Sequence, residues 1–167
     1  DIAQRIKKRE ISCSEVVDSL LDRIEKINPK SNAITVVFEE LARRMAGELD
    51  RHKKNDSKKI FYGVPFTIKD NLDFVGVPTT KGLLALKDSL PTRSDPIVNR
   101  LMASGGIPLG KTNMPEMGMR LDTDNVLFGR TLNPWDQNMT PGGSSGGDAV
   151  ALATGMTPFG LGNDCLL

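Results

Sequence analysis

The residue types best suited to chemistry lie in the glycine-rich stretch PGGSSGGD at residues 141–148. Its four glycines surround Ser144 and Ser145, and glycine lets a backbone turn sharply or approach a ligand closely. A helix-favouring run at 149–153 follows, whose first N–H groups would point towards the two hydroxyls. We therefore expect a pocket for a polar group or a developing negative charge. The alternative is a flexible linker, but linkers are longer and lack flanking residues such as Trp135.

A lysine at the end of a predicted strand is the second candidate. Residues 64–68 are mostly apolar and β-forming, with Pro65 near the beginning, where proline is tolerated. Lys69 follows directly, and open α/β sheets place their chemistry at strand ends. The alternative is a surface lysine paired with Asp70.

Composition limits the possible functions. The chain has 167 residues, a net charge of +1 and 5% aromatic residues, so one domain is expected and neither nucleic acid nor a membrane surface is favoured as a partner. No apolar run reaches about 18 residues, so no membrane span is expected. The chain opens without Met, so its natural start is expected to lie upstream.

Histidine and cysteine are scarce. The single His52 lies in the polar stretch 51–59, which predicts a solvated loop, and Cys13 and Cys165 show no metal-binding spacing. A zinc site and a Ser-His-Asp triad are therefore disfavoured. We expect no cofactor, no metal and a reducing, cytoplasmic location.

The elements that must position these residues follow from periodicity and turn signals. Ser12 and Glu15 fit a capping box, and apolar residues then recur at helical spacing until Pro29, which is predicted to end the helix. Residues 33–37 predict a strand, and 38–50 predict a second amphipathic helix with Arg43 and Arg44 outside.

The second half alternates strand and helix. Asp95 and Pro96 predict a helix start, and Gly105-Gly106 ends that helix. This rhythm is typical of α/β proteins with a mainly parallel sheet. Trp135, within an irregular segment at 125–136, is expected to pack rather than bind. The remaining predictions are an apolar helix face (Ile97, Val98, Leu101, Met102), strands at 107–109 and 158–161, a short helix or turn at 114–119, and a helix at 148–154.

A nucleotide-binding alternative rests on Gly105, Gly110, Lys111 and Thr112, which match the P-loop spacing. That motif requires a strand before it and a helix directly after it. Here a helix precedes it, its interior is apolar and contains a proline, and Pro115 follows. Such a loop would not aim successive N–H groups at phosphates.

Four segments in order carry a resemblance to a known family: GVPFTIKDN at 63–71, GKTNMPE at 110–116, NPW at 133–135 and PGGSSGG at 141–147. Together they resemble the amidase signature family, from about residue 12 to about residue 164. The resemblance implies an α/β/α domain with a mixed, largely parallel sheet. Residues 1–167 would form the N-terminal part of that single domain, with the C-terminal part missing.

The resemblance also implies hydrolysis of amide carbon–nitrogen bonds by a lysine, a bridging serine and a nucleophilic serine. Lys69 corresponds to the catalytic lysine, and Ser144 to the bridging serine beside a cis peptide bond. Ser145, Gly143 and Met117 are expected to support the site or contact substrate. A small-molecule amide is the expected substrate, and the full-length form is expected to be a homodimer.

Such a triad needs a neutral lysine. Lowering the lysine pKa from about 10.4 to about 7 requires roughly 4 kcal/mol, which desolvation can supply. The apolar strand at 64–68 would provide these surroundings. Ser144 would then relay a proton, because a hydroxyl both donates and accepts.

The sequence departs from the family at its end. The family carries its nucleophile in an Asp-x-Gly-Gly-Ser segment, whereas here Gly162-Asn163-Asp164-Cys165 is followed by Leu166-Leu167. The nucleophilic serine would fall one position beyond the last residue. We therefore expect a truncated chain that is inactive alone. A non-catalytic, amide-binding remnant remains the alternative.

Overall fold

The computed structural model describes residues 1–51 and 59–164. The predicted location of His52 in a polar loop, and the expectations for 165–167, lie outside these residues. Two short 3-10 helices span Leu84–Leu86 and Glu116–Gly118. The other elements are α1 (Ile2–Lys7), α2 (Cys13–Ser31), β1 (Ile34–Val37), α3 (Glu39–Arg51), β2 (Pro65–Lys69), α4 (Pro96–Ala103), β3 (Ile107–Thr112), α5 (Gly146–Ala153) and β4 (Gly160–Leu161).

Within the described ranges, the strands form one mixed sheet in the order β1-β3-β2-β4. β2 lies parallel to both β3 and β4, and β1 runs antiparallel to β3. The predicted α/β class with a mainly parallel sheet is therefore confirmed. β3 extends to Thr112, three residues beyond the predicted strand end at Leu109.

The sheet separates two apolar clusters. Helices α2, α3 and α5 pack on one face, where Val17, Leu109 and Val150 are buried together. Phe66 and Ile68 of β2 point to the other face and pack with Val98 of α4. Because strand side chains alternate between faces, Lys69 points to the same face as α5.

A bulge in β3 reverses this alternation close to the strand end. Phe66 is paired with Pro108, but Thr67 is paired with Gly110, so Leu109 is an extra residue on β3. Bulges re-aim the side chains that follow them. Thr112, the register partner of Lys69, consequently points towards α5.

The capping box at the start of α2 is confirmed. Ser12 Oγ accepts a hydrogen bond from the Glu15 N–H at 3.0 Å, and the Glu15 carboxylate accepts one from the Ser12 N–H at 2.7 Å. Two N–H groups at this helix start are therefore satisfied by side chains. Arg43 and Arg44 are exposed on α3, as expected.

The predicted end of α2 at Pro29 is wrong, because the helix continues to Ser31. A proline in the last turn removes one backbone donor without blocking the residues after it. Asn32 ends the helix with a left-handed conformation (φ 50°), and its N–H bonds the Asn28 carbonyl at 2.8 Å. Asn28 Oδ1 also accepts from the N–H of Ala33 and so sets the turn into β1.

Two predicted packing positions are also wrong. Ile97 is 46% exposed, because Val98 is the residue of the first α4 turn that faces the core. Trp135 is 79% exposed in an irregular segment with no periodic pattern to fix its orientation. Among the described helices, none is long and apolar enough to cross a bilayer.

Candidate active site

Two side chains separated by 75 positions in the sequence meet at one end of the sheet. Lys69 ends β2 and is fully buried, and Ser144 precedes α5 and is 6% exposed. Lys69 Nζ donates to Ser144 Oγ at 2.6 Å and to the Asn163 carbonyl at 2.7 Å. The alternative of a surface lysine paired with Asp70 is therefore wrong.

The Gly/Ser loop is fixed rather than flexible. The Gly143–Ser144 peptide is cis, as the resemblance implied, and Gly142 has a φ of 89°. A Cβ at Gly143 would lie 2.6 Å from a backbone oxygen of the neighbouring chain segment. Thr123 Oγ1 donates to the Gly142 carbonyl at 2.9 Å and accepts from the Gly146 N–H at 3.1 Å. This bridge rules out the linker alternative.

The first N–H groups of α5 are not directed at a ligand, so that expectation is wrong. Gly146 N–H donates to Thr123, and Gly147 N–H donates to the Asn113 carbonyl at 3.2 Å. A Cβ at Gly147 would lie 2.5 Å from the backbone of Asn113. The glycines therefore allow the helix start to pack closely on the end of β3.

An open cavity of about 510 Å³ lies beside the two serines. Ser145 is partly exposed there, and its Oγ donates to the Asn163 carbonyl at 3.1 Å. Asn71 Nδ2 donates to Asn163 Oδ1 at 2.9 Å. Asn163 thus ties the segment after β4 to both Lys69 and Ser145. The cavity lining consists of residues 141–146, Ala149, Gly162, Asn163 and Asp164.

A buried carboxylate, to which the sequence analysis gave no role, lies in the same layer. Asp148 accepts hydrogen bonds from Thr67 Oγ1 at 3.0 Å and Thr112 Oγ1 at 2.8 Å, and it is 4% exposed. Burial raises the pKa of Asp148 to about 6, against the opposing effects of both threonines and of Lys69. The alternation of Thr67 and Lys69 along a buried strand was the available signal for a polar face.

A second buried lysine lies on the opposite face of the sheet. Lys111 Nζ is 3.4 Å from Asp70 Oδ1 and donates to the Leu72 carbonyl at 2.6 Å. Burial lowers the pKa of Lys111, and the Asp70 carboxylate opposes that change. The P-loop interpretation is wrong, because the motif lies largely within β3, which has a strand on either side, and its lysine is fully buried.

Met117 lies at the edge of the site. Its side chain is 49% exposed, and its backbone is left-handed, with a φ of 54°. The neighbouring Gly118 borders the loop, because a Cβ there would be in ordinary van der Waals contact with Ser144 Oγ at 3.5 Å. The supporting roles of Met117, Gly143 and Ser145 stay predictions.

Other nucleophiles and metal ligands are not grouped in the described ranges. No set of three or more His, Cys, Asp or Glu side chains there could hold a metal ion. Cys13 is buried in the core, and burial, together with the Asp50 carboxylate, raises its pKa to about 12. Its thiol is therefore poorly suited to nucleophilic attack.

The sequence and the fold together define the family. The profile of the amidase family matches residues 15–165, and this chain therefore belongs to that family of hydrolases of amide carbon–nitrogen bonds.

Three relatives illustrate the range of the family. The chain is 39% identical over 164 residues to a glutamyl-tRNA(Gln) amidotransferase subunit of Thermoanaerobacter pseudethanolicus, covering 98% of this chain and 34% of the relative. It is 41% identical over 165 residues to an indoleacetamide hydrolase of Bradyrhizobium diazoefficiens, covering 98% and 32%. A crystal structure of a bacterial aryl acylamidase of the amidase signature enzymes superimposes with a TM-score of 0.85 at 34% identity, covering 93% and 33%. The chain thus spans about a third of the length of the relatives it matches.

Proposed function

We propose that this chain provides the base and the proton relay of an enzyme that hydrolyses small linear amides. Lys69 is the base and Ser144 is the bridging hydroxyl. The observation that carries the proposal is the 2.6 Å contact between these two buried side chains. Membership of the amidase family supports it, as does the similarity to an indoleacetamide hydrolase.

The attacking group in this proposal is a serine hydroxyl, placed by the family resemblance directly after Leu167. It loses its proton to Ser144 Oγ while Ser144 passes its own proton to neutral Lys69. A C–O bond forms to the amide carbon, and the C–N bond breaks as the relayed proton returns to the leaving amine. Water then hydrolyses the acyl-enzyme by the same relay.

Burial of Lys69 suits the role of a base. Desolvation disfavours the ammonium form of lysine, and Lys69 has no exposed surface. Ser144 Oγ lies between this amine and the cavity of about 510 Å³. A substrate amide in that cavity would therefore meet the hydroxyl and not the lysine.

The test uses the complete natural reading frame that contains this sequence. Release of ammonia or amine from a panel of linear amides is measured for the wild type, for Lys69→Ala and for the exposed-lysine control Lys87→Ala. We expect Lys69→Ala to reduce kcat/KM by about 10²- to 10⁴-fold or more, and Lys87→Ala to leave it unchanged.

Two results would contradict the proposal. One is full activity in Lys69→Ala. The other is a wild type that binds amides in calorimetry but releases no product, which would establish a non-catalytic amide-binding function instead.

A further inference from the structure

Asp148 contacts the two strands that position the lysine. It lies in the first turn of α5. Its carboxylate accepts a hydrogen bond from Thr67, which precedes Lys69 by two positions on the same face of β2. It also accepts one from Thr112, the register partner of Lys69 on β3. The carboxylate is therefore held beside the lysine.

Asp148 is also linked to Ser144 through the backbone. Ser145 is the N-cap of α5, and Asp148 is the third residue of the helix. An acidic side chain in the first turn of a helix is stabilised by the N-terminal dipole. The same turn follows directly on Ser144, the hydrogen-bond partner of Lys69. Asp148 is thus connected to Ser144 through the start of its own helix and to Lys69 through the threonines of the two strands.

The fold leaves space for this carboxylate. A Cβ at Gly160 of β4 would lie 2.4 Å from Asp148 Oδ1 and 2.7 Å from Thr67 Oγ1. The bulge at Leu109 directs Thr112 to this face. Gly160 on β4 therefore leaves room for the Asp148 carboxylate, and the bulge on β3 provides its hydrogen-bond partner Thr112.

The charged groups around Asp148 are few in the described chain. Within α5 it is the one titratable residue, and β4 contributes none. On β2, Lys69 attracts the carboxylate, and on β3, Lys111 points to the opposite face and pairs with Asp70. Asp73 also acts on Lys111 on that opposite face, and the exposed Asp164 follows β4.

We propose that Asp148 is a positioning residue that sets the proton affinity of Lys69 through the charge of its buried carboxylate. The ionised carboxylate favours the ammonium form of the lysine, because opposite charges at close range stabilise each other in a poorly solvated interior. The neutral lysine needed for catalysis then forms only at higher pH. This inference rests on the proposed function, in which neutral Lys69 is the base.

The test follows the lysine directly and needs no turnover. Lysine is labelled with ¹³C at Cε, whose chemical shift reports protonation of Nζ, and the Lys69 signal is assigned by its loss in Lys69→Met. Its titration midpoint is compared in the wild type, in Asp148→Asn and in the exposed-acid control Asp88→Asn. We expect Asp148→Asn to lower the Lys69 midpoint by about 1 pH unit or more, and Asp88→Asn to leave it unchanged.

The Lys111 signal is an internal control, because its carboxylate partner is Asp70, and its midpoint should stay the same in Asp148→Asn. If Asp148→Asn does not fold, Asp148→Ser removes the same charge with a smaller hydroxyl side chain. An unchanged Lys69 midpoint in the folded neutral variant would overturn the proposal.

A pH profile separates positioning from a purely structural role. We expect the acidic limb of kcat/KM to move to lower pH in Asp148→Asn, because neutral Lys69 would form more readily. If Asp148→Asn lowers kcat/KM but leaves the pH of the acidic limb unchanged, the inference is contradicted. Loss of activity in Lys69→Ala tests the proposed function independently, so the failure of one does not imply the failure of the other.

Discussion

Two buried lysines at the ends of neighbouring parallel strands differ in what surrounds them. Lys111 on β3 lies 3.4 Å from the carboxylate of Asp70 and donates to a backbone carbonyl. Lys69 on β2 donates to a serine hydroxyl and a backbone carbonyl, while the nearby carboxylate of Asp148 accepts from two threonines. Lys111 therefore forms a buried ion pair, whereas the Lys69 amine contacts a serine hydroxyl that borders a cavity.

The difference shows how one residue type serves two purposes on opposite faces of one sheet. A buried ion pair fixes the chain locally, and it is costly to break because the partner charge is left without compensation. A lysine bonded to a hydroxyl has a group that can both accept and donate a proton. We therefore expect substitutions at Lys111 to affect stability and substitutions at Lys69 to affect activity.

The largest expected effect on stability comes from Lys111→Met. It leaves the Asp70 carboxylate, which is 2% exposed, without its ion-pair partner. We expect a loss of about 3–5 kcal/mol in the free energy of unfolding, measured by urea denaturation. Lys87→Met, at an exposed position, is the control. A stability equal to that of the control would contradict a structural role for Lys111.

The second effect is a dependence of stability on pH that arises from Asp148, on the α5 face of the sheet. Burial raises the pKa of Asp148 from 3.8 to about 6, so the folded state holds a proton that the unfolded state releases. Stability therefore falls as the pH rises from about 4 to about 6, by roughly 3 kcal/mol from this group.

Asp148→Asn should remove this contribution. The difference in unfolding free energy between wild type and variant, followed by urea denaturation across that pH range, should change by the same amount. The unfolding free energy of the control Asp88→Asn should depend on pH in the same way as that of the wild type. If the difference in unfolding free energy between wild type and Asp148→Asn does not change with pH, the Asp148 carboxyl has the same pKa in the folded and unfolded states.

The smallest effect comes from crowding the acid. In Gly160→Ala the new methyl would lie 2.4 Å from Asp148 Oδ1, and we expect a cost of about 1–3 kcal/mol. Gly47→Ala in α3 is the matched control, because its Cβ would have an ordinary contact of 3.6 Å. That change should stabilise the protein by about 0.5–1 kcal/mol, because glycine weakens a helix interior. Equal stabilities for the two variants in thermal unfolding would argue against a tightly enclosed Asp148.

Local signals were sufficient for much of the fold. The capping box at Ser12, the helix start at Asp95 and the buried strand before Lys69 each follow from short-range rules. The nearness of Lys69 and Ser144 came from the family resemblance, since no local rule joins residues 75 positions apart. Packing in the irregular segment around Trp135 had no periodicity from which to be predicted.

The surroundings of the lysine could not be predicted because they depend on a register shift. Without the extra residue Leu109, Thr112 would point away from α5, and the threonine pair around Asp148 would not form. Pro108 and Gly110, which flank the extra residue, are residue types found at bulges, but the predicted strand ended at Leu109 and left residues 110–112 outside it. The predicted apolar surroundings of Lys69 therefore missed the polar layer made by Thr67, Thr112 and Asp148.

The most direct test of the central claim is a double-mutant cycle on kcat/KM for amide hydrolysis with Lys69→Ala, Ser144→Ala and the combined variant. Residues that act as one catalytic unit give strongly non-additive losses. We expect the combined variant to be no slower than the slower single variant. Losses that multiply would show that Lys69 and Ser144 act independently and would contradict the proton relay.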